Sequence, residues 1–230
     1  MAAAPFRVTL PLLLSLNAGF VDTAGFLALQ GLFTAHVTGN FVTLGAALVL
    51  GTSGAVAKLL ALPVFCIVVI ATRLLSSALS RGERPALNFL LGLKVILLVA
   101  GAALAIHFGP FGNGDAWQAV VTGMVLVAAM AIQNAAHRIH LASAPPSTLM
   151  TGTTTQVMID LADMLQAPGP DHAGRPRLLG MSANIAVFAA GCAAAALLYA
   201  RVGVWCFVMP PLFGIAALLM RVARAGNGTG

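Results

Sequence analysis

Two short polar segments interrupt an otherwise apolar chain, and their residue types suit a binding site for a small solute. They cover residues 33–40 (FTAHVTGN) and 146–153 (PSTLMTGT), and in each a hydroxyl residue is followed four positions later by Thr-Gly. Serine, threonine and asparagine cap the free N–H groups of a helix start, and glycine allows close approach to the backbone. Polar, glycine-containing backbone repeated at membrane depth is typical of transport sites. The pattern predicts two half-helix starts that face each other.

Two such starts would present N–H donors and partial positive charge to the space between them. They favour an anion, a carboxylate or another acceptor-rich small solute. The predicted binding residues are Thr34, His36, Thr38, Gly39, Asn40, Gln133, Asn134, Ser147, Thr151, Gly152 and Thr153. The alternative is that the threonines and glycines only mediate close helix packing, as small residues do in membranes.

Asp22 is the one acidic residue well inside an apolar run of the sequence. An unpaired charge there costs about 2.5 kcal/mol or more on insertion scales, so the group must neutralise or find a partner. We interpret Asp22 as a proton- or cation-coupling residue, with a structural hydrogen bond as the alternative. Gln133 and Asn134, its counterparts later in the chain, bring polarity without charge, and a single coupling site needs that asymmetry.

Other ionisable residues near the two segments carry weaker signals. His36, His137, Arg138 and His140 could line the mouths of a pathway or sense pH. No further ligand lies near the last two histidines in sequence, so we expect no metal. Lys94 is close enough to the end of its apolar run for its side chain to reach water, and the alternative is a pair with Asp22. The chain has no nucleophile elbow, Walker loop, dinucleotide fingerprint or Cys-x-x-Cys, so we expect neither an enzyme nor a cofactor.

Composition predicts an integral membrane protein. Of the 230 residues 60% are hydrophobic and 8% are charged, and the mean hydropathy is +0.97. This leaves too little polar surface to cover a soluble core. At about 20 residues a span, the length allows roughly eight helices in a single membrane domain, 1–230. The formal net charge of +6 comes from scattered Lys and Arg that form no stripe, so we expect no nucleic-acid partner.

Eight apolar segments are visible along the chain. They lie near 9–30, 37–51, 55–79, 86–108, 116–137, 148–165, 178–200 and 204–222. The start resembles a short secretory signal, but apolar residues continue through Leu29, so we expect a retained first span. If all eight segments crossed the membrane, the basic loops around Arg84 and Arg177 would fall on opposite faces, against the positive-inside rule. We therefore expect six spans, two short re-entrant helices and both termini in the cytoplasm.

This topology places most basic loop residues on the cytoplasmic face. They are Arg7, Arg81, Arg84, Arg138, Arg175, Arg177, Arg221 and Arg224, with Arg201 as the one disagreement. Each half, about 9–108 and about 116–222, then contains three crossings and one re-entrant helix, and an odd number of crossings turns the second half upside down. The predicted fold class is all-α integral membrane, built from two inverted repeats.

The alignment of the two halves is weak in identity but consistent in spacing. The paired residues are Asp22 with Asn134, Thr38 with Thr151, and Phe65 with Phe188. The last pair requires the longer loop 166–177 to hold about ten inserted residues. Chance similarity among runs of Ala, Val and Leu is the alternative.

Several of these segments together resemble the YoaK-like family of bacterial inner-membrane proteins. They are NAGFVD (17–22), FTAHVTGN (33–40), QNA (133–135) and Thr151-Gly152, and the likeness covers nearly the whole chain. The pattern Gly-x-x-Asp followed by Phe-Thr-Ala-x-x-Thr-Gly-Asn carries it. That family is a domain of unknown function, so the resemblance implies a bacterial multi-span membrane protein and supplies no substrate.

We therefore expect a secondary transporter for a small anionic or carboxylate-bearing solute in the inner membrane. A passive channel of the same architecture is the first alternative. The second is a membrane-embedded enzyme with Asp22 and His36 as acid and base. The Ala-rich run 189–196 could form a close helix contact within the fold or across a homodimer.

Overall fold

The computed structural model describes residues 8–166 and 174–226, and every regular element in them is helical. The eight α-helices are α1 (Leu10–Ala28), α2 (Gly39–Leu50), α3 (Ala55–Arg81), α4 (Ala86–Phe108), α5 (Trp117–His140), α6 (Met150–Gln166), α7 (Arg175–Val202) and α8 (Met209–Gly226), with one 3₁₀ turn, Gly203–Val208, before α8. The prediction of an all-helical chain is confirmed, and each predicted apolar segment coincides with one α-helix. Arg7 and most of the long loop between α6 and α7 lie outside the described residues.

Five helical stretches are long and apolar enough to cross a membrane. They are Leu10–Ala28, Ala55–Arg81, Ala86–Phe108, Trp117–His140 and Arg175–Ala223. The last has 49 residues and contains both predicted segments near the C-terminus. By contrast α2 has 12 residues, fewer than the roughly 17 that a spanning helix needs. The chain is a multi-pass membrane protein with at least one apolar helix too short to span.

The helices α1 and α7 make the most extensive contact in the structure. A Cβ atom added to Gly19 would lie 2.2 Å from the Phe188 carbonyl oxygen, and one added to Gly191 would lie 2.3 Å from the Leu16 carbonyl oxygen. Only glycine allows two helix backbones to come this close. The crossing fixes α7 against α1 one turn before Asp22.

One end of the structure gathers the chain connections of the first half. Asp115, between α4 and α5, accepts hydrogen bonds from Gly54 N at 2.9 Å and Val56 N at 2.8 Å. Lys58 Nζ donates to the carbonyl oxygen of Gln30 at 2.7 Å. The end of α1, the end of α2 and the start of α3 therefore lie together. The chain between α1 and α3 returns to the end from which it left.

The connections of the second half lie in the opposite part of the structure. Asn184 of α7 accepts a hydrogen bond from Ser15 Oγ at 2.6 Å and donates to the Pro146 carbonyl oxygen at 2.7 Å. Asp160 of α6 forms an ion pair with Arg177 near the start of α7. The start of α1, the α5–α6 connection and the start of α7 therefore share this part, and α6 brings the chain back toward the point where α5 ended.

The pattern of helix contacts is preserved when the two halves are exchanged. The helix α1 packs on α7 as α5 packs on α3, and α4 packs on α5 as α8 packs on α1. The short helices follow the same rule, because α2 packs on α3 as α6 packs on α7. Such a pattern is expected of two structurally related halves.

Gly191→Ala should lower the melting temperature, because the added methyl group meets the backbone of α1. Overpacking costs typically about 1–3 kcal/mol, which exceeds the roughly 1 kcal/mol that alanine gains over glycine inside a helix. We expect a decrease of about 3 °C or more in thermal unfolding of the detergent-purified protein. Gly92→Ala is the matched control, because no atom lies within 4 Å of its added Cβ. Equal melting temperatures for the two variants would contradict the close crossing.

Candidate functional site

The carboxylate of Asp22, in the middle of α1, holds the loop that precedes α2. Its Oδ1 accepts hydrogen bonds from Thr34 N at 2.7 Å and Ala35 N at 2.8 Å. Its Oδ2 lies 2.7 Å from His36 Nδ1. Asp22 is 4% exposed, so these bonds form away from solvent. Residues 29–38 fold back along α1 by about two helical turns to reach it.

Asn40 closes the same loop from the start of α2. Its Oδ1 accepts a hydrogen bond from Phe33 N at 2.9 Å, and its Nδ2 donates to the Phe33 carbonyl oxygen at 2.8 Å. The Thr34 hydroxyl lies 3.4 Å from Asp22 Oδ1. Thr34 and Asn40 are both buried, and burial of a polar group is tolerated when it is hydrogen-bonded. These two residues position the loop.

The loop of residues 141–149 folds back along α5 in the same way. Asn134 Oδ1 accepts a hydrogen bond from the Thr148 hydroxyl, and Gln133 Nε2 donates to Ser147 Oγ at 3.1 Å. Gln133 Nε2 also donates to the Leu14 carbonyl oxygen at 2.9 Å, which links α5 to α1. The second half thus holds its loop with amide and hydroxyl groups where the first half uses a carboxylate.

Lys94 is buried, and the prediction that its side chain reaches water is wrong. It is 1% exposed and donates a hydrogen bond to Gln133 Oε1. The reason is packing, because α4 contacts both α5 and α8 and these helices close the route to the helix end. Among the described residues no carboxylate pairs with this ammonium group.

His36 joins the two loops. Besides its contact with Asp22, the imidazole contacts the backbone of Thr148 in the second loop. Its ring centroid lies 5.4 Å from that of Phe188, in an edge-to-face arrangement. The hydrogen bond to Asp22 raises the pKa of His36, against the lowering effect of burial, and the Thr148 backbone adds to the increase. When His36 is protonated and Asp22 is ionised, the pair between the loops has zero net charge.

A pocket of about 490 Å³, the first pocket, opens beside this pair. It is lined by Asp22, Thr23, Phe26, Leu27, Phe33, His36, Gly39, Phe188, Cys192 and Ala196. The volume is sufficient for a small organic molecule. Apolar walls around one ion pair suit an amphipathic solute whose polar group lies against Asp22 and His36.

A second pocket of about 390 Å³ repeats the first at corresponding positions of the other half. The corresponding residues are Asp22 and Asn134, Thr23 and Ala135, Phe26 and Arg138, Leu27 and Ile139, His36 and Leu149, Phe188 and Phe65, Cys192 and Val69, and Ala196 and Arg73. Each of these residues of α1 corresponds to the residue of α5 that lies 112 positions later in the sequence, as 22 does to 134. Each of these residues of α3 corresponds to the residue of α7 that lies 123 positions later, as 65 does to 188. The pairs of Asp22 with Asn134 and of Phe65 with Phe188 agree with the sequence alignment of the halves.

The structure brings together part of the predicted binding set. Asp22, His36 and Gly39 line the first pocket, and Asn134 lines the second. Thr34, Asn40, Gln133 and Ser147 are buried and hydrogen-bonded inside the protein. Thr38, Thr151 and Gly152 are exposed and line neither pocket, and Thr153 donates to the Leu149 carbonyl oxygen of its own turn. His36 and Thr148 make the contact between the loops, in place of the two Thr-Gly pairs.

Sequence reasoning missed Thr148 and the walls of the first pocket. A signal for the walls was present, because Thr23, Phe26 and Leu27 follow Asp22 at helical spacing. Phe188, Cys192 and Ala196 recur every four residues and so lie on one face of α7. The sequence therefore indicated this face of α7, but it did not indicate which helix the face packs against.

Comparison with known proteins relates the sequence of this chain to a protein family. A family model described as "Protein of unknown function (DUF1275)" matches residues 10–220. The UPF0700 transmembrane protein YoaK of Bacillus subtilis (strain 168) is 34% identical to this chain over 174 residues, which cover 72% of the chain and 72% of that relative. No solved structure matches the chain significantly.

The pair of Asp22 and His36 predicts a pH-dependent stability. Because the folded-state pKa of His36 is raised, its stabilising effect is fully present below the unfolded value of about 6.5 and is lost as pH rises through the folded value. The melting temperature of the wild type should therefore fall relative to that of His36→Gln as pH rises above about 6.5. His107→Gln, a histidine outside both pockets, is the control. Parallel pH profiles for wild type and His36→Gln would refute the pair.

Proposed function

The chain belongs to the DUF1275 family of unknown function, and from that premise we propose that it is a proton-coupled secondary transporter for a small carboxylate-bearing solute. The resemblance to YoaK-like proteins seen in the sequence is thereby confirmed, but it supplies no substrate. The proposal is carried by one observation, that the Asp22 carboxylate occupies the N–H groups of Thr34 and Ala35. In this proposal the protein is not an enzyme.

The mechanism is a competition between two carboxylates for the same donors. Successive backbone N–H groups in a loop form a concave site for anions. In the described state the chain's own Asp22 fills that site, with His36 alongside. When Asp22 accepts a proton it loses its hold on the N–H groups, and the carboxylate of a solute takes its place. Solute binding and proton binding are then coupled at one point.

The charges in this scheme balance at each step. Before binding, protonated His36 and ionised Asp22 carry zero net charge. After binding, protonated His36 faces the carboxylate of the solute while Asp22 is neutral, and the net charge is again zero. This matters because an unbalanced charge is costly in a low-dielectric interior. One proton therefore accompanies each carboxylate.

The walls of the first pocket indicate the rest of the solute. Phe26, Phe33 and Phe188 surround the space next to the ion pair, and the volume is about 490 Å³. Pockets with apolar walls and few polar groups bind molecules of matching polarity. We propose a small monocarboxylate with an apolar body as the substrate class.

The proposal includes the six-span topology in the inner membrane with both termini in the cytoplasm. The helices α2 and α6 act as re-entrant elements, since each returns the chain to the end from which its loop started. The 49-residue stretch Arg175–Ala223 has room for two spans of about 20 residues. Apart from Arg201, the basic helix ends that flank the loops then share one face, and the connection that contains Asp115 lies on the other.

The same topology makes the two halves inverted repeats. Three crossings in each half turn the second half upside down, as in many secondary transporters. The preserved pattern of helix contacts and the two corresponding pockets support this relation. Within the Ala-rich run 189–196, Gly191 packs on α1 of the same chain. Other alanines of this run are exposed, so the proposal includes a homodimer that forms through them.

Benzoate should stabilise the purified protein more at pH 5 than at pH 8, because its carboxylate binds only after Asp22 is protonated. At about 100 times its dissociation constant the ligand adds about 2.7 kcal/mol, or about 5 °C in melting temperature. Benzamide, which has the same shape without the charge, should give no shift. Asp22→Asn cannot ionise, so its benzoate shift should depend less on pH than that of the wild type, and the remaining pH dependence should come from His36.

Asp163→Asn, an exposed acid of α6, is the matched control and should behave like the wild type. Loss of the benzoate shift in Asp22→Asn would overturn the competition, because Asp22 would then be a direct partner of the ligand. In proteoliposomes a proton gradient should drive benzoate accumulation against its concentration gradient. Flux that only equilibrates benzoate would identify a channel instead.

A further inference from the structure

The second pocket is chemically opposite to the first although its positions correspond. Where the first pocket holds an Asp–His pair, the second holds Asn134 and Leu149. Two uncharged wall positions of the first pocket are taken by Arg73 and Arg138 in the second. The second pocket therefore carries two positive charges and no carboxylate.

The charges of Arg73 and Arg138 are not balanced by neighbours. The ion pairs of residues 8–166 and 174–226 join His36 with Asp22 and Arg177 with Asp160, and neither involves these two arginines. Arg221, like Arg73, lies near His140 and adds further positive charge to this region. A groove with this charge attracts an anion.

The walls of the second pocket belong to two helices that are able to cross a membrane. Phe65 and Val69 come from α3, and Ile139 comes from α5. A surface groove between two spanning helices is in contact with acyl chains. Its occupant must therefore be apolar along most of its length.

If α3 begins at one edge of the hydrocarbon layer, both arginines lie near its other edge, close to the lipid headgroups. Arg73 is about 27 Å along α3 from its first residue, close to the far side of a hydrocarbon layer of roughly 30 Å. Arg138 is two residues before the end of α5, at the same end of the structure. The anionic group of the occupant would lie there, and its chain would extend toward the membrane centre.

We infer that the second pocket binds an anionic phospholipid of the surrounding leaflet, with its phosphate between Arg73 and Arg138 and one acyl chain along Phe65 and Val69. The guanidinium group suits this role, because its planar fork of donors matches phosphate oxygens. The inference goes beyond transport and does not depend on it. In the first pocket the charge of protonated His36 is balanced by Asp22, so that pocket would not select such a lipid.

The test measures the melting temperature of the delipidated full-length protein in detergent with added lipid. Dioleoyl phosphatidylglycerol should raise it by about 5 °C more than dioleoyl phosphatidylcholine, which has the same chains and no net charge. Arg73→Gln with Arg138→Gln should lose this difference. Both arginines are exposed, so the double variant should keep the wild-type melting temperature in phosphatidylcholine.

Arg81→Gln with Arg84→Gln is the matched control, because it removes the same charge outside the pocket, and it should keep the phosphatidylglycerol effect. Native mass spectrometry should show one fewer retained phosphatidylglycerol in the pocket variant than in this control. Equal loss in both double variants would overturn the site in favour of general attraction. A shift of the same size with glycerol 3-phosphate would show a free-anion site instead of a lipid site.

Discussion

One buried carboxylate accounts for the irregular part of the first half. A backbone N–H group without a partner costs several kcal/mol in hydrocarbon, so a non-helical loop can reach the interior only if something accepts its donors. Asp22 does this for Thr34 and Ala35. Once the loop is held there, α2 needs only 12 residues to return to the end of α1. The pocket beside α7 and the contact of His36 with the second loop both follow from that anchoring.

The second half holds its loop with neutral groups, which bind side-chain hydroxyls of the loop where Asp22 binds backbone N–H groups. Asn134 and Gln133 hold Thr148 and Ser147 through amide and hydroxyl hydrogen bonds, and the loop folds back just as far. Amide and hydroxyl groups are therefore enough to hold a loop at this depth. A carboxylate costs more to bury than an amide, so the ionisable group in the first half needs a reason other than the fold. Proton coupling is such a reason, and it rests on the contrast between the two halves of one chain.

The sequence was a good guide to the helices and to part of the site, for physical reasons. Long apolar runs separated by polar loops set the eight helices, because hydrophobicity is local information. The pairing of Asp22 with Asn134 was also visible, since both are polar residues inside apolar runs. The burial of Lys94 was not, because it depends on how α5 and α8 rotate over α4. The walls of the first pocket were missed for the same reason, as they depend on the distant crossing of Gly19 and Gly191.

A comparison of the two pockets distinguishes residue types that the fold requires from residue types that can differ without a change of fold. The residues at positions 22 and 134 are both polar because each forms the hydrogen bonds that hold a loop. The residues at positions 188 and 65 are both phenylalanine because each forms part of a pocket wall. Three of the six remaining paired positions differ in charge while the helices around them correspond, and these pair His36 with Leu149, Phe26 with Arg138, and Ala196 with Arg73. Shape was thus kept where backbone hydrogen bonds and packing demand it, and at Arg73 and Arg138 a charge was introduced at positions that are uncharged in the other half. A charge at such a position, as at Arg73 and Arg138, is therefore better explained by what enters the pocket than by the stability of the fold.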